Sequence, residues 1–271
     1  MRTKRSPMIL FSVCRKNLIS SLRGEYVDFI ISRFTFTFFT MATGFVLYKL
    51  GGGRVSQVFQ ESTGGNNYLG FMVVGTALYG TTHGILLNVS RTLMTERREG
   101  TLDSILMIPF SRWQYYGGNQ LNQIILTSLD IILACVLSLI LGVQFDLNAA
   151  GLAAGFFQFF ITLYGLALLL SLLMISLKDT FFIQNTIIPI ILLIGGYIFP
   201  IEVLPGFLRF LSEIVPIHYG VFLIRSAVLE GGGVVGWAPY LKSLIPGLIF
   251  LCMGFGLLPV IERKALEEYL S

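Results

Sequence analysis

The sequence predicts an all-α membrane protein: six transmembrane helices, an N-terminal amphipathic interfacial helix, a short cytoplasmic helix and short re-entrant helices before the last span. Three observations predict it. Of 271 residues, 54% are hydrophobic and only 13% charged, against roughly 25% charged in an ordinary soluble domain. The apolar residues gather in runs long enough to cross a bilayer. Lysine and arginine concentrate in alternate connecting segments. A soluble fold of this size could not cover so much apolar surface, including 23 Phe, with so few charges.

A helix needs about 20 apolar residues to cross about 30 Å of hydrocarbon. The runs that meet or approach this are Val27–Leu50, Tyr68–Ser90, Leu121–Val143, Ala149–Leu177, Phe181–Phe199 and Leu244–Ile261. The first is longer than a signal-peptide core and follows about two dozen residues, so it reads as a retained signal anchor. The fifth and sixth are short and hold breakers: Pro189 and Gly195–Gly196 in one, Pro246 and Pro259 in the other. Such residues are tolerated at depth where neighbouring helices cover the freed carbonyls. Gly80–Gly84 and Gly151–Gly155 have the spacing that permits close helix approach. Cys14, Cys135 and Cys252 are an odd, scattered set and read as small hydrophobes.

Charge orients the bundle. With the N-terminus cytoplasmic, inner segments hold 13 Lys and Arg and outer segments five, with Arg33 inside the first span. The positive-inside rule then predicts both termini in the cytoplasm of a cell (inner or plasma) membrane.

Three stretches outside the plain spans carry more information. In Pro7–Arg23, Ser12, Lys16, Ser20 and Arg23 share one helical face and Phe11, Cys14, Leu18 and Leu22 another. That pattern suits a helix lying among the inner headgroups, in contact with membrane lipid, or a plain basic lead-in to the anchor. The loop Arg91–Arg112 mixes Arg91, Arg97, Arg98 and Arg112 with Glu96, Glu99 and Asp103. After Gly100, Thr101 can cap a short helix running through Leu102 to Met107, which Pro109 closes. Ser111 to Gln114 can then form a capping box for the next helix. A short amphipathic helix held between two long ones suits a groove on a soluble partner; a solvated loop is the alternative. In Pro200–Leu229, Glu202, Arg209, Glu213 and Arg225 make the stretch too charged to span, yet it is too apolar for water. Pro200, Pro205 and Pro216 divide it into pieces that would dip into the outer leaflet and return.

The segment ERREGTLDSILMIPFSRWQ, Glu96–Gln114, resembles the cytoplasmic coupling segment of ABC type-2 exporter permeases. The segment from Gly195 to Gly231 resembles the re-entrant region between the last two spans of that family. Asp103 stands where Glu is common, and Thr95 precedes a shorter acidic run. The resemblance implies a permease subunit, one domain over 1–271, paired with a second permease copy (a homodimer or a sister permease) and resting on a cytoplasmic ATP-binding cassette subunit. It implies that Glu96, Arg97, Arg98, Glu99, Gly100, Thr101, Leu102, Asp103, Pro109 and Arg112 couple to that ATPase. Pro200, Glu202, Pro205, Pro216, His218, Tyr219 and Arg225 would belong to the outer gate. ATP and Mg would sit on the partner; no cofactor and no nucleic acid is expected on this chain.

The residues agree about energy supply. A phosphate-binding loop needs Gly-Lys followed by Ser or Thr, and this sequence contains no Gly-Lys pair. No catalytic motif such as G-x-S-x-G or H-E-x-x-H is present, so the chain reads as a transport subunit and not an enzyme. Two histidines far apart in sequence argue against a metal site. Ionisable groups within spans are costly and are functional candidates by default. Arg33 can snorkel to headgroups, His83 reads as a buried hydrogen-bonded residue or a relay, and Asp130 reads as a pathway residue or a packing hydrogen bond. The competing reading is an ATP-independent secondary carrier built on Asp130. The substrate reading is a hydrophobic or amphipathic drug, antibiotic or lipid-like molecule, with a lipid-linked glycan as the alternative.

Overall fold

The protein is described by a computed structural model covering residues 6–24, 31, 34–35, 37–42, 46, 68–98, 100, 112–140, 142–143, 145–177, 179–229 and 236–270. Among these residues the regular structure is entirely helical. In chain order, the helices are α1 (Ser6–Gly24), α2 (Tyr68–Arg98), α3 (Arg112–Ile140), α4 (Ala149–Leu177), α5 (Thr180–Ile194), α6 (Gly206–Ile214), α7 (Ile217–Leu229) and α8 (Trp237–Leu270). Residues 37–42 are also helical, but most of the expected first span lies outside the described residues.

Four of these helices, α2, α3, α4 and α8, are long and apolar enough to cross a membrane; the α6–α7 pair makes a fifth candidate if its two bent halves count as one span. The protein is therefore a multi-pass membrane protein. Several helix ends lie beyond or short of the expected apolar runs. Helix α2 does not stop at Ser90 but runs on to Arg98, because no glycine or proline interrupts it before Gly100, which adopts a left-handed φ of 70°. Helix α8 begins at Trp237 rather than Leu244 and passes through both Pro246 and Pro259. The expected fifth span, Phe181–Phe199, is shorter than read: α5 ends at Ile194, where Gly195 and Gly196 turn the chain. Gly196 takes a φ of 70°, which a side chain would resist.

Local signals account for the other ends. Asp179 caps α5 by accepting from the Phe182 amide at 2.9 Å, and a π turn occupies Ile183–Ile187 ahead of Pro189. Asn148 caps α4 through the Gly151 amide at 3.1 Å. Each proline of the next stretch precedes an element: Pro200 a 3₁₀ turn over Ile201–Val203, Pro205 helix α6, and Pro216 helix α7. The α6 and α7 axes meet at 87°.

Helix α4 lies at the centre. Phe159, Leu163, Ala167, Leu168 and Met174 are fully buried on it, in one core with Ile85, Leu86 and Val89 of α2. Burying apolar groups against lipid-like surroundings gains little, so close packing must hold such helices together. The glycines show it. A Cβ on Gly247 of α8 would meet Thr162 Oγ1 at 2.6 Å, and one on Gly165 of α4 would meet the Leu251 amide at 2.9 Å. Gly155 lies against Ile224 of α7 and Gly84 against Thr127 of α3. On the outside, Leu129, Ile132, Val136 and Leu139 of α3 and Ile249, Met253, Leu257 and Val260 of α8 stay exposed. These make an exposed apolar surface along two of the long helices.

Candidate functional site

The predicted polar residues fall into two clusters at opposite ends of α2. The first surrounds Glu96. The extra turns of α2 carry Glu96 inward, where it is 7% exposed. Its Oε1 accepts from the Tyr115 hydroxyl of α3 at 2.7 Å and from Lys16 Nζ of α1 at 3.3 Å. Beside it Asn17 of α1 donates to the Asn119 side chain of α3. Helix α1 can lie this close because Gly118 is bare: a Cβ there would come within 2.8 Å of the Leu10 carbonyl and of Val13. Tyr115 and Tyr116 meet edge to face, and the Tyr116 hydroxyl lies 3.4 Å from Ser171 Oγ of α4. One turn earlier on α2, Arg91 donates to the Gln184 side chain within the π turn of α5. Five helices are thus joined by side-chain hydrogen bonds around the point where α2 gives way to the segment that follows it.

Of the residues singled out there, Arg98 and Gly100 are exposed, while Glu96 faces inward and not a surface. Glu99, Thr101, Leu102, Asp103 and Pro109, with the side chains of Arg97 and Arg112, lie outside the described residues, as does the expected short helix. Sequence reading placed Lys16 on a headgroup-facing helix without its Glu96 partner, and missed Asn17, Tyr115 and Asn119. Their separations of 80, 102 and 19 residues leave no local pattern to find.

The second cluster surrounds Arg225 of α7. Its guanidinium lies over the Phe71 ring of α2, 3.4 Å from the centroid. Nη2 donates to the Tyr197 carbonyl at 3.0 Å and the Phe71 carbonyl at 3.4 Å, and Nη1 to the Gly196 carbonyl at 3.3 Å. Tyr197 is 1% exposed, with its hydroxyl 2.6 Å from Thr82 Oγ1 and its ring edge-on to Tyr79. Further along, the Tyr219 hydroxyl donates to the Glu213 carboxylate at 3.1 Å, and Lys242 of α8 lies 5.3 Å over the Tyr219 ring. His218 is buried against Tyr219, ring centroids 4.0 Å apart. Arg225, His218, Tyr219 and buried Pro200 and Pro216 therefore gather at one corner, while Glu202 and Pro205 are exposed. Phe71, Gly75, Thr82 and Tyr197 went unrecognised in the sequence.

Of the remaining candidates, His83 adjoins the second cluster through Tyr79, whose ring meets Tyr197. His83 stacks on Tyr79 at 6.4 Å, and Asp130 is partly buried on α3. Arg33 lies outside the described residues. No group of three or more His, Cys, Asp or Glu that could hold a metal occurs among the described residues.

The described helices thus form a multi-pass bundle with a broken, charged pair of helices before the last long one. Comparison with known proteins makes this specific. The sequence profile of the ABC-2 type transporter family matches residues 9–229. The chain belongs to that family, as its two recognisable segments implied. It is 28% identical over 192 residues to the probable multidrug ABC transporter permease YbhR of Escherichia coli strain K12, and equally to that of Escherichia coli O157:H7; each alignment covers 68% of this chain and 49% of the relative. The chain spans about half the length of the curated relatives it matches.

Proposed function

We propose that this chain is the permease subunit of an ATP-driven exporter, with the energy supplied by a separate ATP-binding cassette subunit and ATP with Mg bound there. The observation that carries the reading is the junction at Glu96. Helix α2 overruns its apolar stretch by eight residues, and α1, α3 and α5 brace that overhang before Gly100 releases the chain. A segment hung from a helix end braced in this way transmits a push into the bundle, which a free loop cannot do.

In this reading the N-terminus and the 96–112 segment face the cytoplasm, and that segment docks into the ATPase. Two permeases, identical or sister chains, pair in the inner or plasma membrane, and ATP-driven closure of the ATPases rocks them. The 200–229 corner, with Pro200, Glu202, Pro205, Pro216, His218, Tyr219 and Arg225, forms the outer gate. The cargo is a hydrophobic or amphipathic molecule; the name of the E. coli relatives favours a drug over a lipid-linked glycan.

The test is a mild-detergent pull-down of the tagged chain from its native membranes with mass spectrometry. An ATP-binding subunit in stoichiometric amount, lost in Glu99→Lys and Leu102→Pro, is expected. Glu96 is the wrong position for this test, since its carboxylate is held inside by Tyr115 and Lys16. An ATPase that stays bound to both variants would overturn the docking assignment. Its absence from the unaltered chain would overturn the exporter reading itself.

A further inference from the structure

We propose that Arg225 is a positioning residue that bolts the bent pair α6–α7 to the first half of α2, so that the two travel as one body. The contact is a property of the fold; its consequence for opening rests on the export reading above.

A guanidinium presents its N–H donors in a fixed planar fork. Here that fork reaches the carbonyls of Gly196, Tyr197 and Phe71, and its face covers the Phe71 ring. Among the described residues no carboxylate pairs with it, so its counter-charge consists of carbonyl dipoles and a ring quadrupole. A carboxylate on a flexible stem could follow a moving cation. Main-chain carbonyls on two separate elements cannot. Separating α7 from α2 would break several charge-assisted hydrogen bonds at once and leave their carbonyl acceptors without the guanidinium.

Gly75 and Tyr197 tighten the same joint. A Cβ on Gly75 would lie 1.9 Å from the Tyr197 carbonyl and 2.8 Å from Arg225 Nη2, so only glycine lets the carbonyl sit over α2. The Tyr197 hydroxyl then anchors the turn two helical turns further along α2, at Thr82. The other side of α7 packs on α4 through Gly151 against Ala227, Gly155 against Ile224, and Gly220 against Phe159. Its last turn also accepts main-chain hydrogen bonds from the Asp146 and Asn148 amides at the start of α4. Arg225 therefore ties α2 to a helix that α4 already holds, and the α7–α2 contact stays shut as the bundle moves.

Val221 is 1% exposed and lies one helical turn before Arg225 on the same face, which makes it a reporter of that contact. The experiment introduces Val221→Cys into the full chain with Cys14, Cys135 and Cys252 replaced, purified with whatever ATPase accompanies it. Labelling by a membrane-impermeant maleimide is then timed without nucleotide and with Mg-ATP and vanadate. With Arg225 present, the thiol is expected to stay protected in both conditions. Arg225→Met should raise the nucleotide-free rate about tenfold or more, the scale of losing charge-assisted hydrogen bonds. Arg225→Lys, which keeps the charge and loses the fork, should fall between. Gly75→Ala should raise the rate with the charge untouched, which covers the case in which the methionine variant does not fold. Unchanged labelling in the folded variants would overturn the bolt. Labelling that appears on vanadate trapping with Arg225 in place would overturn the shared movement. If no ATPase accompanies the chain, the export reading fails, but the nucleotide-free comparison still decides the bolt.

Discussion

The two ends of α2 hold a buried charge in opposite ways. Glu96 is neutralised by side chains, a tyrosine hydroxyl and a lysine whose own side chain is 64% exposed. Arg225 is held by main-chain carbonyls and an aromatic ring. Side-chain partners can rotate away and return, so the Glu96 cluster can reset as the segment beyond it is pushed. Carbonyl partners move only with their helices, so the Arg225 cluster keeps its geometry while the bundle moves around it. The difference assigns adaptability to one end and rigidity to the other.

Breaking the rigid end should cost most. Arg225→Met leaves carbonyls unpaired in a low-dielectric site, at about 1–3 kcal/mol for each group stranded. The expected result is a large fall in the thermal midpoint of the detergent-solubilised protein. Gly75→Ala should follow, since overpacking costs about 1–3 kcal/mol. Combining it with Arg225→Met should add less than the sum, because both release one joint. Tyr115→Phe should be milder: one hydrogen bond to Glu96 is lost and Lys16 remains, an effect of about 1–2 kcal/mol. Lys16→Ala should be smallest, under about 1 kcal/mol, and should shrink further in high salt as exposed ion pairs do. A lysine effect that rivalled the arginine effect would erase the contrast between the two ends.

Much of this architecture was legible in the chain because helices that face lipid announce themselves as apolar runs. The breaks at Pro200, Pro205 and Pro216 were equally plain, since proline removes a donor and clashes with the preceding turn. What escaped was of two kinds. The overhang of α2 looked like a loop because Arg91, Glu96, Arg97 and Arg98 break the apolar pattern, yet charge does not end a helix when nothing in the backbone does. The partners of Glu96 and Arg225 escaped because a residue type says nothing about a fold contact many residues away. For Arg225 the acceptors are not side chains at all, and no composition or spacing reveals a carbonyl.

The length of α5 has a consequence for the backbone that follows it. Its fifteen residues, π turn included, rise roughly 22 Å, well short of the roughly 30 Å of a hydrocarbon layer. A helix of that length does not cross such a layer alone, so the irregular backbone after it needs protein cover. Arg225 supplies part of that cover by donating to the Gly196 and Tyr197 carbonyls.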